Sequence, residues 1–214
     1  SIHHWYERCF ESKCFFKIIV ATDDQRIYDV VKSFGAAVIM TNEGHESGTD
    51  RCFEVLENIS ESFDAVINIQ GDEPFISPDA IIKVADILQK GASIATLGVQ
   101  IKDTEYLFDS NKVKIVLSSM NQALYFSRAA VPYQRDAEKN DWLNNQDYFL
   151  HLGIYGFSLS TINEIKDLKP SKLEKIECLE QLRWLEAGHK INVGVVDEIP
   201  QGVDTPEDLQ KLLN

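Results

Sequence analysis

Apolar positions recur along this chain at two spacings, and the two alternate. Residues 17–22 (KIIVAT) form a continuous apolar run of strand length, whereas in 25–34 the apolar Ile27, Val30, Val31 and Phe34 gather on one side of a helix. The same reading predicts strands at 37–40, 65–70, 93–100, 113–117, 123–127, 149–157 and 191–196. Helices are predicted at 2–10, 49–59, 78–89, 171–187 and 206–213, with Ser77-Pro78 and Thr205-Pro206 as start signals. Strands this uniformly apolar are covered on both faces, and repeated βα units imply an α/β fold with a mostly parallel sheet under layers of helix. Residues 134–146 break the alternation with a polar, irregular stretch, expected to be a solvated loop inserted between two strands.

Chemistry concentrates where strands end. The run 65–70 passes straight into Gly71-Asp72-Glu73-Pro74, and open α/β sheets present functional groups just past the carboxyl ends of their strands. Gly71 permits a sharp turn or a close ligand approach, which leaves Asp72 at the sheet rim. Glu73 would face the other way in extended chain and is read as structural. A second loop carboxylate, Asp204, stands in GVDTPED (202–208). Helix capping accounts for Thr205, Pro206 and Asp208, and a plain turn accounts for Gly71-Asp72, but Asp204 has no such role. Two carboxylates on one crevice suit Mg²⁺, a hard cation commonly shared with substrate phosphates.

His151, Gly153 and Tyr155 alternate on one strand, so His151 and Tyr155 share a face and can enter one pocket; the bland alternative is a satisfied buried histidine. Ser47, Thr49 and Asp50 precede an apolar helix, as ordinary caps do, and the same free N–H groups with Arg51 favour an anion. Asp23-Asp24 reads as a cap for the helix at 25–34.

Five segments occur together in order: INIQGDEP (67–74), ALYFSRAAVP (123–132), HLGIY (151–155), LEQLR (179–183) and GVDTPED (202–208). Jointly they resemble the 3-deoxy-manno-octulosonate (Kdo) cytidylyltransferases, the CMP-Kdo synthetases of lipopolysaccharide assembly. The resemblance implies a single domain over 1–214 with a nucleotide-diphospho-sugar transferase-like three-layer fold and a mixed, mostly parallel sheet. It implies attack of the sugar's anomeric hydroxyl on the α-phosphate of CTP, with Asp72 and Asp204 as catalytic Mg²⁺ ligands. Gln70, Arg128, Arg135, His151, Tyr155, Glu180 and Gln181 would bind the sugar, and Ser47, Thr49 and Arg51 the nucleotide. Residues 123–157 would form the acceptor-sugar and dimer region of a cytoplasmic homodimer. Members of this family begin with a strand and a phosphate-wrapping turn. The segment 2–8 resembles the helix after that turn, so a further central strand and loop are expected ahead of it.

Composition narrows the partners. Thirty-four acidic against 21 basic residues give a net charge of −13, which opposes nonspecific binding to nucleic acid or to acidic membranes. Both implied substrates are anions, so positive charge must be concentrated locally, by Mg²⁺ and by arginines such as Arg51, Arg128 and Arg135. No apolar run approaches a membrane span. Cys9, Cys14, Cys52 and Cys178 lack zinc spacing and are expected to be reduced thiols. A dehydrogenase is disfavoured, because no G-x-G-x-x-G follows a strand. The rivals left are a cytidylyltransferase for another acid sugar, such as 8-amino Kdo or sialic acid, and a noncatalytic nucleotide-sugar-binding domain.

Overall fold

The helices begin where the sequence carries caps. In the computed structural model, which describes residues 2–71 and 76–197, Asp24 caps α2 (Gln25–Ser33) by accepting from the Arg26 N–H at 2.8 Å. Ser47 caps α3 (Gly48–Glu57) through the Asp50 N–H, and Ser77 caps α4 (Pro78–Gln89) through the Ala80 N–H, each at 3.1 Å. Each side-chain oxygen satisfies an N–H that the first helical turn leaves without a partner. Ahead of them lies α1 (Ile2–Glu11), which buries Cys9.

Strands alternate with these helices: β1 (Ile19–Thr22), β2 (Ala37–Met40), β3 (Ala65–Ile69) and β4 (Ile94–Gln100). They are followed by β5 (Lys114–Leu117), β6 (Ala123–Ser127), β7 (Phe149–Ser158) and β8 (Ile191–Val196). The main sheet is organised by β7. Its ten residues pair antiparallel with β4 along one edge, while the other edge meets β5 at Phe149 and Leu150 and β3 from Ile154 to Ser158. With β4 and β8 parallel, strands β3, β4, β5 and β8 all point one way, and β7 and β6 oppose them. The sheet is thus mixed with a parallel majority of strand directions, although many adjacent pairs are antiparallel.

A second, two-stranded sheet is formed by parallel β1 and β2. Among the described residues β1 pairs only with β2 and β3 only with β7. Their other edges border one cavity of about 780 Å³, whose walls include Ile19, Val20, Val66, Ile67, Cys52 and Leu88. An extended apolar segment laid there would find backbone partners on both sides and join the two sheets.

Two readings need correction. The helix expected over 171–187 is two helices, α8 (Lys172–Glu177) and α9 (Gln181–Glu186). Cys178 separates them in the left-handed region at φ 53° and ψ 51°, a conformation that stops α-helix propagation. The expected loop at 134–146 contains a 3₁₀ turn (Lys139–Asp141) and α6 (Trp142–Asn145). Trp142 anchors it by stacking on Tyr148 at 6.1 Å, and its indole N–H donates to the Ala137 carbonyl. Two short helices had no expectation at all, α5 (Thr104–Phe108) and α7 (Leu159–Ile165), capped by Asp103 and Ser158. The helix expected at 206–213 lies outside the described residues.

The left-handed Cys178 generates a stability prediction. A side chain there costs about 1–2 kcal/mol, against about 0.5–1 kcal/mol of extra chain entropy lost by glycine. Cys178→Gly should therefore stabilise the protein by about 0.5–1 kcal/mol in chemical denaturation, and Cys178→Val should destabilise it.

Candidate active site

The start of α3, the end of β3 and the start of α9 meet. Thr49, on the first turn of α3, is buried and donates its hydroxyl to Glu180 Oε1. Asn68 on β3 donates to Thr49 Oγ1 at 3.3 Å. Gln70 lies two residues on, hence on the same face of the chain, and its amide packs on Gly48; a Cβ at Gly48 would stand 2.5 Å from Gln70 Oε1. Glycine at that position leaves the room that the amide occupies. Gln181 is buried beside Glu180 in sequence.

Glu180 places a carboxyl group where burial opposes its charge. Its Oε2 is buried with no hydrogen-bond partner among the described residues. Burial lifts its pKa above the ordinary carboxylate value, and hydrogen bonds from Ser47 and Thr49 offset this in part. An acceptor oxygen left without a donor at such depth is costly, and among the described residues it is the one buried side-chain atom in that state.

β7 brings the next two groups. Tyr155 pairs across the sheet with Asn68 on one side and Thr96 on the other, so the three side chains form a row on one face. Tyr155 packs edge-on against Trp184 of α9 at 5.1 Å, and burial holds its phenol well above its ordinary pKa. His151 reaches the same place, its ring 5.3 Å from that of Tyr155. Part of the ring remains accessible, yet desolvation pulls its pKa down to about 3, so the imidazole is neutral at physiological pH. Burial raises the Cys52 thiol to about 12, with Glu180 adding to the shift, which leaves it unreactive.

The cytidylyltransferase family model matches residues 2–191. The chain belongs to the cytidylyltransferase family. Among curated cytidylyltransferases, the 3-deoxy-manno-octulosonate cytidylyltransferase of Cytophaga hutchinsonii is 46% identical over 197 residues, 92% of this chain and 79% of its own. That of Photobacterium profundum is 50% identical over 200 residues, 91% of this chain and 80% of its own. A solved CMP:2-keto-3-deoxy-manno-octonic acid synthetase complexed with CTP superposes with a TM-score of 0.88 at 36% identity, covering 99% of this chain and 85% of that one. The 4-diphosphocytidyl-2C-methyl-D-erythritol synthase of Anaerococcus prevotii shares the fold, at a TM-score of 0.61 and 13% identity, with 98% and 85% covered.

Within this cytidylyltransferase the arginines are placed differently from one another. Arg128 is held against backbone carbonyls. Its guanidinium donates to the carbonyls of Glu177 (2.7 Å), Ser110 (3.2 Å) and Cys178 (3.3 Å), tying β6 to the α8–α9 turn. Glu177 returns the contact by accepting from the Arg128 N–H and the Ser127 hydroxyl. Arg135 is exposed, and among the described residues only the adjacent Asp136 pairs with it. Arg51 bridges Asp23 at 2.6 Å and Thr41 at 2.5 Å. Asp23 is therefore an ion-pair partner whose pKa Arg51 lowers, and Asp24 alone caps α2.

Asp72 and Asp204 lie outside the described residues. Among the described residues no group of three or more His, Cys, Asp or Glu is placed to hold a metal. The sequence reading missed Asn68 and Thr96. Asn68 stands two residues before Gln70 in an apolar strand, and that i,i+2 relation was the available signal; Thr96 gave none, because its partners are remote in sequence.

The raised Glu180 pKa fixes the sign of a pH effect. A carboxyl whose folded pKa exceeds its unfolded value near 4.5 binds more protons in the folded state, so stability is lost as pH rises through that window. Denaturant titrations of wild type and Glu180→Gln from pH 4 to 8 should show their stability difference moving against the wild type above about pH 4.5. A constant difference across that range would contradict the raised pKa.

Proposed function

We propose that this cytidylyltransferase transfers CMP from CTP to Kdo, giving CMP-Kdo and pyrophosphate. The observation that carries this reading is convergence. Thr49, Gln70, His151, Tyr155 and Glu180 come from segments spread over more than half of the chain, and contacts through Asn68, Gly48 and the rows of β7 bring them to one place. The relatives whose names specify Kdo support the choice of acceptor.

Each group has a chemical task in this reading. The N–H groups at the start of α3, with Ser47 and Thr49, favour the nucleotide's anionic or carbonyl oxygens. Arg51 adds positive charge there while Asp23 and Thr41 fix its orientation. Glu180, Gln181, Gln70 and Tyr155 offer the carboxylate, amide and hydroxyl groups that pair with sugar hydroxyls. Arg135 is the arginine assigned to the sugar's carboxylate, since a planar fork matches a carboxylate in two parallel hydrogen bonds. Arg128 holds the turn that carries Glu180 and Gln181.

In-line displacement at phosphorus needs positioning and charge neutralisation more than a covalent group on the protein. Mg²⁺ held by Asp72 and Asp204 would supply the neutralising charge. We place the reaction in the cytoplasm, as a step toward lipopolysaccharide, with residues 123–157 joining two copies of the chain. Among the described residues no helix is long and apolar enough to cross a membrane.

The test is pyrophosphate release with CTP and Mg²⁺ when Kdo, 8-amino Kdo and sialic acid are offered separately. Release with Kdo alone is expected. Release with a different sugar would keep the chemistry and change the acceptor, and folded protein that binds CTP without turnover would make it a binding domain. Asp72→Ala or Asp204→Ala should cut kcat by about 10²–10³ with the fold intact, the usual scale for removing a positioned electrostatic group. Arg135→Ala should chiefly raise KM for the sugar, whereas an effect confined to CTP would move Arg135 to the nucleotide.

A further inference from the structure

A buried threonine on the central strands makes three polar contacts that cannot all have the same sense. Thr96 of β4 is 0% exposed. Its Oγ1 lies 2.7 Å from the Ile154 carbonyl oxygen, 3.3 Å from that of Leu152, and 2.9 Å from His151 Nε2. A hydroxyl has one proton and two lone pairs, and carbonyl oxygens only accept. At 2.7 Å, two oxygens with no proton between them repel, so the Thr96 proton lies toward Ile154. The remaining contact then requires Nε2 to donate to Oγ1. Were Nε2 bare instead, Thr96 would turn its proton to the ring and leave the Ile154 contact repulsive.

The register explains why these atoms meet. Thr96 pairs with Tyr155 and Leu97 with Leu152, so two extra residues of β7, Gly153 and Ile154, lie between these pairings. This bulge turns the Leu152 and Ile154 carbonyls onto one hydroxyl, and bulges commonly re-aim a nearby side chain. His151 pairs with Gly98, where a Cβ would stand 3.2 Å from the Ile115 side chain and 3.3 Å from that of Val193. Phe126 and Tyr155 flank that ring at 5.0 and 5.3 Å. Among the described residues Nδ1 has no hydrogen-bond partner.

We propose that Thr96 is a positioning residue that fixes His151 as the Nε2–H tautomer, leaving the Nδ1 lone pair to accept a hydroxyl of the acceptor sugar. This rests on the assignment of His151 to the sugar site and sharpens it. The desolvated ring stays neutral, so it recognises a hydroxyl donor, and the sugar's carboxylate falls to an arginine. A tautomer held by the hydrogen bond on the far nitrogen is the general way a protein decides which imidazole nitrogen meets a ligand. No proton transfer is assigned to His151.

The experiment combines ¹⁵N NMR of the imidazole rings with steady-state kinetics, using wild type, Thr96→Val and Thr96→Ser, and His151→Gln to assign the signals. The wild type should show a neutral His151 with hydrogen on Nε2 and a bare Nδ1 between pH 6 and 8. Thr96→Val removes the hydroxyl at nearly constant shape. It should populate the other tautomer and raise KM for Kdo about tenfold, the scale of one hydrogen bond, while KM for CTP stays unchanged. Thr96→Ser, which keeps the hydroxyl, should restore both, and it covers the case in which the valine variant folds poorly. A wild-type spectrum with hydrogen on Nδ1, or with both nitrogens protonated, overturns the proposal, as does an unchanged tautomer in folded Thr96→Val. A shifted tautomer with unchanged KM for Kdo overturns the sugar role of His151 on which the proposal rests.

Discussion

One long strand sets the geometry of this molecule. β7 supplies edge partners to β3, β4 and β5 together, so the register of the main sheet depends on which of its residues meets which neighbour. A slip of one residue would turn every side chain to the opposite face. The alignment of Tyr155 with Asn68 and Thr96, and of His151 with Gly98, is therefore part of the same constraint that closes the sheet. The two-residue irregularity beside Thr96 preserves that parity, because inserting an even number keeps the faces in phase.

On this frame the protein keeps polar groups in places that oppose folding. Among the described residues Glu180 has a buried carboxyl oxygen without a donor, and His151 is held neutral by desolvation. Lys114 is fully buried as well, with its ammonium turned onto the backbone carbonyls of Asp109 and Lys112. Lys114 has its partners within the chain, whereas among the described residues the buried Glu180 Oε2 and the less buried His151 Nδ1 have none. Buried acceptors left open are costly unless a ligand supplies the donor, so the contrast separates a structural group from groups arranged for a substrate. It also bears on the charge of −13: recognition of sugar hydroxyls by acceptors needs no net positive surface, and cationic groups are required only where carboxylate or phosphate is held.

Much of this was legible from the sequence because the local signals were strong. Ser47, Ser77-Pro78 and the apolar runs at 65–70 and 123–127 place their elements within a residue or so of where they lie. The shared face of His151 and Tyr155 followed from the two-residue period of a strand. What was not legible depended on partners remote in the chain. The stretch 171–187 carries mostly good helix formers, and nothing local marks Cys178 as left-handed; Arg128, just past β6, ties down the carbonyls of Glu177 and Cys178 at that kink. The arginines could be recognised as cationic, but whether each would face a ligand, a carbonyl or an aspartate is a tertiary fact. Helices α5 and α7 are too short for periodicity to declare, although Asp103 and Ser158 cap them.

The central claim is that sugar hydroxyls are received by acceptors on β7 and α9. A crystal structure of the protein with CTP and a Kdo analogue lacking the anomeric hydroxyl tests it directly. The account predicts sugar hydroxyls within hydrogen-bond reach of Glu180 Oε2 and His151 Nδ1, with the analogue's carboxylate on an arginine. A sugar seated elsewhere, with both acceptors still open, would contradict it.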